Sequence, residues 1–165
     1  MDGEKGMEFR IYTPEFMKKL REVASTGGNL LLSGAYVGSD FAECNDTLAA
    51  RFAREILHFV RRTGHAVHTG HFYSTDYGRK WFSLTGDFNT SCDPVLYPVE
   101  APDGIEPADK SAFTAFRYGE NNISAAVAYR GNYRSVVLGF PLETITGPGT
   151  LDQLVQQVMR FFEEK

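Results

Sequence analysis

Apolar positions along this chain fall into helical stripes and short runs, and their spacing predicts the elements. Thr13-Pro14-Glu15 followed by Phe16 to Val23 reads as a capped helix start, with proline at the first helical position, where its missing N–H costs nothing. Gly27-Gly28 ends that helix. Leu30-Leu31-Leu32-Ser33 is a short apolar run between turn signals, the pattern of a strand buried on both faces, and a parallel strand is expected. Beyond Gly34-Ala35-Tyr36-Val37-Gly38-Ser39, one long helix is expected through Phe41, Leu48, Ala49, Phe52, Ile56 and Val60, capped by Asp40 with Glu43 three residues on.

From about His65 to Ala112, Gly70, Gly78, Gly86, Pro94, Pro98, Pro102-Asp103-Gly104 and Pro107 interrupt the pattern, so short strands and loops are expected. Regularity returns in Ala112 to Tyr118, Ile123 to Tyr129 and Ser135 to Phe140. The last two are joined by Arg130-Gly131-Asn132-Tyr133, which has hairpin turn chemistry. A final helix starts at Thr150, with Leu151, Leu154, Val155, Val158 and Phe162 as its apolar stripe.

Composition narrows the function. The 165 residues are 42% hydrophobic and 23% charged, which fits a single domain over 1–165 with a real core. No apolar run approaches the roughly 20 residues of a membrane span. A formal net charge of −4 with scattered basic residues leaves no footprint for nucleic acid. Met1 to Gly6 is polar, so no signal peptide is expected; this fits a cytoplasmic protein or a domain of a longer exported one.

A buried strand that turns on two glycines into a helix is how several α/β enzymes expose a nucleophile beside helix N–H groups. Gly34-x-Tyr36-x-Gly38 has that form, and Val136 to Glu143 looks like the strand that supplies the partner residues. In these features the chain resembles the class I glutamine amidotransferases over residues 13–165. Three longer phrases, Gly28 to Asp40, Val99 to Ile105 and Leu138 to Ile145, are similar to a domain of Bacteroidetes multidomain proteins often labelled xanthan lyase. That label is taken as a transferred name rather than as an activity. The resemblance implies a three-layer, flavodoxin-like α/β sheet with a parallel centre and an antiparallel extension. It also implies an elbow of Gly34, Gly38 and Asp40, with Tyr36, Phe140 and Glu143 at the triad positions.

The residue types at those positions oppose the family's chemistry. A cysteine thiol, with a pKa of about 8.5, ionises readily beside a helix N-terminus, whereas a phenol near 10 does not. Phe140 accepts no proton, and Glu143 is one position away from the family's Pro-Glu step. A non-catalytic accessory or ligand-binding domain of a larger bacterial protein is therefore expected, with no cofactor. The rival readings are an active hydrolase or lyase built around Tyr36, Asp40 and Glu143, and a structural spacer.

Tyr73, Tyr77 and Trp81, among Asp76, Arg79 and Lys80, have the composition of a carbohydrate-binding face; equally, such rings cover sheet ends. His65, His68 and His71 have a spacing that would suit zinc on a helix. The surrounding Gly64, Val67, Thr69 and Gly70 favour a strand that splits them between faces, so no metal site is expected. Cys44 reads as a core residue and Cys92 as a loop thiol. The partners expected are a carbohydrate, other domains of a parent protein, or a second copy of the chain. The last follows because only a helix and a short strand, Met7 to Tyr12, precede Leu30, which leaves that strand short of neighbours.

Overall fold

The computed structural model describes residues 12–40 and 47–164. Most of the Met7–Tyr12 strand, and the expectations placed on Phe41, Glu43 and Cys44, lie outside them. Helix α1 (Pro14–Ser25) starts as its sequence predicts: the Thr13 side chain accepts the amide of Phe16 at 3.2 Å, and Pro14 stands in the first turn. The chain then forms β1 (Leu30–Ser33), the short helix α2 (Thr47–Phe52), a π-helical turn (Ala53–Leu57) and β2 (Phe59–Thr63). Next come β3 (His71–Ser74), a 3₁₀ turn (Gly78–Lys80), β4 (Thr85–Phe88) and β5 (Gly104–Pro107). The antiparallel run β6 (Ala112–Tyr118), β7 (Ser124–Arg130) and β8 (Arg134–Leu138) follows, then β9 (Ile145–Thr146) and helix α3 (Thr150–Glu163).

Seven strands form one sheet in the order β1-β8-β7-β6-β3-β4-β9, and β2 pairs with β5 in a separate ribbon. This overturns the flavodoxin-like expectation. Among the described residues only β1 with β8 is a parallel pair of the large sheet, at one end of the strand order, whereas β8-β7, β7-β6, β6-β3, β3-β4 and β4-β9 are antiparallel. The physical reason is plain in β7 and β8. Ala126, Ala128, Val136 and Leu138 face the core shared with Leu154, Val158 and Phe161 of α3, while Val127 and Val137 face that of Met17, Ala49, Phe52 and Leu57. A continuous apolar run reports burial on both faces, and here it is an antiparallel hairpin that is sandwiched.

Two further expectations are corrected. The long helix ends early: its stripe passes through the π-turn, His58 takes a left-handed conformation at φ 60°, and Val60 belongs to β2. Leu48, placed on the buried stripe, is 70% exposed. In α3 it is Phe161 that is buried, whereas Val155 is 38% exposed. Among the described residues no helix is long and apolar enough to cross a membrane.

Candidate functional site

The two regions singled out in the sequence lie at opposite ends of the sheet. Since β1 runs parallel to β8 and β7 runs against both, the Gly34 turn shares an end with Leu138, while Arg130 and Ala112 mark the other.

At the first end, Ser39 begins a helical turn, and the group that closes it is Asp103 rather than Asp40. Asp103 Oδ2 accepts the amides of Gly38 at 2.7 Å and Ser39 at 2.8 Å, and Oδ1 accepts the Ser39 hydroxyl at 2.6 Å. Arg61 Nε donates to Ser39 Oγ at 3.1 Å. Burial pushes the Asp103 carboxyl above its ordinary range, opposed by the bonds from Ser39 and Gly38 and by Arg61. Asp103 is fully buried, so the helix N-terminus that would hold an anion is filled by the chain's own carboxylate. Asp40 instead accepts the Tyr12 amide at 3.1 Å.

The triad positions do not converge on an open site. Tyr36 is 41% exposed, whereas Phe140 is fully buried with its ring 4.8 Å from those of both Phe72 and Phe88. Glu143 accepts a hydrogen bond from Tyr97 at 2.8 Å and lines a cavity with Leu142, Leu151, Asp152, Val155 and Gln156, which includes neither Tyr36 nor Phe140. Burial and the bond to Glu143 push the Tyr97 phenol up to about 12. Gly34 and Gly38 both lie outside the positive-φ set, so their role is close approach, mildly so: an added Cβ would stand 3.2 Å from Val37 Cγ1 and 3.1 Å from Ile105 Cγ2, respectively.

At the far end Tyr77 and Trp81 come together. Thr75 fastens the 3₁₀ turn between them, accepting the Gly78 amide at 2.8 Å and donating to Thr114 O at 2.7 Å. Gly78 fits tightly, since a Cβ there would lie 2.5 Å from the carbonyl oxygen of Ala115. The Tyr77 ring meets Trp81 at 5.6 Å and Phe113 at 5.1 Å, both edge to face, and Trp81 lies 4.9 Å from Phe113. The Trp81 indole N–H donates to Glu164 at 2.5 Å. Tyr77, Trp81 and Phe113 line a 470 Å³ surface cavity with Lys80, Lys110, Ser111, Ala112 and Arg130. Tyr77 itself is 53% exposed.

Tyr73 is not part of this cavity: its hydroxyl donates to the Asn122 side chain in the β6–β7 turn. Lys110, Ser111, Phe113 and Arg130 were missed in the sequence because they come from segments that only the β3–β6 and β6–β7 pairings bring beside Tyr77. The histidines disperse as well, although not on one strand, because β3 begins only at His71. His68 meets Glu120 and His71 meets Asp87, and among the described residues no three His, Cys, Asp or Glu form a metal-binding group. Glu120 also accepts the amides of His68 and Thr69, which hold its carboxyl down to about 2. Cys92 is exposed.

No family model matches the chain, and no curated protein matches it. Among solved structures, the exo-β-1,4-mannosidase Op5Man5 from Opitutaceae bacterium strain TAV5 is similar over 89% of this chain, with a TM-score of 0.50 and 15% sequence identity. The match takes in 21% of the mannosidase, so the chain spans about a fifth of that protein's length. At such identity the likeness concerns the fold.

Proposed function

We propose that this chain is a non-catalytic, ligand-binding module of a larger protein and that its ligand is a carbohydrate held in the Tyr77–Trp81 cavity. The observation that carries the reading is the cavity wall. An exposed Tyr77 ring stands against Trp81 and Phe113, and the Ser111 hydroxyl and basic side chains complete the same lining. Sugars bind through this combination, with aromatic rings against the C–H faces of a pyranose and polar groups to its hydroxyls. The occurrence of a similar fold within a mannosidase is in keeping with a module of a carbohydrate-active protein.

The resemblance to glutamine amidotransferases enters this proposal through the Gly34-x-Tyr36-x-Gly38 turn and the Val136 to Glu143 segment of the sequence. Two placements support the non-catalytic half of the reading: Phe140 is sealed among aromatic rings, and Asp103 occupies the helix N-terminus where an oxyanion would need to bind.

The chain's single tryptophan makes the test direct. Titration of a panel of oligosaccharides followed by Trp81 fluorescence should give a saturable change for at least one, weakened about tenfold or more in Tyr77→Ala. No response across neutral and acidic sugars would refute the carbohydrate reading.

A further inference from the structure

Tyr77 and Lys80 stand three residues apart across the 3₁₀ turn Gly78–Lys80, and a helix with about three residues per turn eclipses the side chains at i and i+3. The result is a direct contact at the cavity wall. The Lys80 ammonium sits over the Tyr77 ring, 4.5 Å from its centre, and lies 5.9 Å from the centre of the Trp81 ring. Arg79, one position earlier on the turn, reaches Asp76 at 3.3 Å instead. Among the described residues the contacts of the Lys80 ammonium are the two rings.

The frame beneath this contact is fixed. The amides of Trp81 and Phe82 both donate to Gly78 O, at 3.0 and 2.9 Å, and Thr75 accepts the Gly78 amide. Trp81 is held through its indole N–H by Glu164 and packs on Phe113 and Phe161 at 4.9 and 5.8 Å. The part that can move without disturbing the turn is the Lys80 side chain, a charge on a flexible aliphatic stem. Tyr77 is the exposed ring of the wall, whereas Trp81 and Phe113 are half-buried. A pyranose pressed on Tyr77 from the cavity needs the layer above the ring where the ammonium now sits.

Resting on the carbohydrate reading above, we infer that Lys80 is an internal occupant of the Tyr77 platform: its ammonium caps the ring in the unliganded protein, and a sugar binds by displacing it. The contact is autoinhibitory and weak. An exposed cation–π contact changes an equilibrium constant about two- to fivefold. That is less than the tenfold loss expected on removing the Tyr77 ring, so the cap lowers affinity without closing the site.

The test has one readout without ligand and one with it. In the unliganded protein, the ring current of Tyr77 should shift the Lys80 ε-methylene protons upfield in NMR spectra, and Tyr77→Leu should abolish the shift. Saturation with cellohexaose or mannohexaose should return those protons towards their ordinary position. In titrations followed by Trp81 fluorescence and calorimetry, Lys80→Gln should bind the hexaose about two- to fivefold tighter than wild type. Lys80→Arg keeps a cation that stacks on aromatic faces and should bind no tighter than wild type. Arg79→Gln, the neighbouring charge outside the cavity, should keep the wild-type affinity. An unshifted Lys80 methylene in the unliganded protein would overturn the inference. So would hexaose binding that is weaker in Lys80→Gln, the mark of a lysine that donates to a sugar hydroxyl; either result leaves the carbohydrate reading standing. Binding of neither hexaose by wild type or Lys80→Gln would overturn the displacement, and the response of the wider oligosaccharide panel then decides the carbohydrate reading separately.

Discussion

Asp103 holds Ser39 by two bonds at once, accepting its amide at 2.8 Å and its hydroxyl at 2.6 Å, although 64 residues separate them in the chain. Removing the carboxylate leaves two buried amides and a hydroxyl unsatisfied, at about 1–3 kcal/mol for each such group before relaxation. Asp103→Ala should therefore lower stability by about 3 kcal/mol or more. Asp103→Asn, which keeps one accepting oxygen, should lose less. Urea denaturation measures both, and an Ala variant with the wild-type midpoint would show that the contact does not hold the turn.

Gly139 lies at the end of β8 against the same segment. A Cβ there would stand 2.1 Å from the carbonyl oxygen of Asp103, which is backbone and has no rotamer to give. Gly139→Ala should cost more than about 2 kcal/mol, the scale of an overpacked site. Gly149 makes the contrast: nothing lies within 4 Å of its Cβ position, but its φ is +75°. Gly149→Ala should cost about 1 kcal/mol from backbone strain alone. Equal losses in the two variants would contradict the packing argument.

His58 ties stability to pH. Tyr133 donates its only proton to Ile56 O at 2.7 Å, so His58 Nε2, 2.9 Å from the Tyr133 oxygen, must be the donor of that pair. His58 Nδ1 is then a bare acceptor, buried with no hydrogen-bond partner among the described residues, while the ring stacks on Tyr129 at 3.5 Å. Burial lowers the His58 pKa, and the more distant Asp109 opposes this only in part. A depressed histidine pKa means that the unfolded chain binds the proton first, so this contribution is full above about pH 6.5 and is lost as pH falls below it. Urea midpoints at pH 7.5 and pH 5 should show the loss. His58→Asn, which tolerates the left-handed backbone and does not titrate, should show a smaller one.

The burial of Phe140 gives the non-catalytic proposal a direct test. Tyr36→Cys should release no ammonia from glutamine, because the phenyl ring of Phe140, at the base position, accepts no proton. Adding Phe140→His should destabilise by more than about 2 kcal/mol, since an imidazole would replace a phenyl ring packed against Phe72 and Phe88. Glutamine turnover in the double variant, abolished by reverting either residue, would restore the case for a latent triad.

What the sequence revealed was local. The start of α1 at Thr13-Pro14, strand β6 over Ala112–Tyr118, the β7–β8 hairpin and the start of α3 each follow from signals within a few residues. Strand direction does not, because apolar runs such as Leu30–Leu32 look alike whether the neighbour is parallel or antiparallel. The break at Ala53–Leu57 was hidden in the same way: the stripe from Phe52 to Val60 keeps its spacing, and no proline or glycine announces the π-turn. At the cavity Tyr77 and Trp81 were legible as neighbours one turn apart. Lys110 and Arg130 were not, because their proximity is a property of strand pairing.

The parallel seam at the edge of the sheet also orders how this molecule comes apart and together. Strands β6, β7 and β8 are neighbours in sequence, so their ladder closes over short loops. Leu30 must find Ser135, and Phe88 must find Ile145, across far longer ones. Loop-closure entropy makes such distant pairings late events in folding. The 112–138 meander should then form first, with the docking of β1 on β8 and of β9 on β4 as late events. In native-state hydrogen exchange, amides of Val127 and Val137 should outlast those of β1 and β9, whose seams open while the centre of the sheet stays closed.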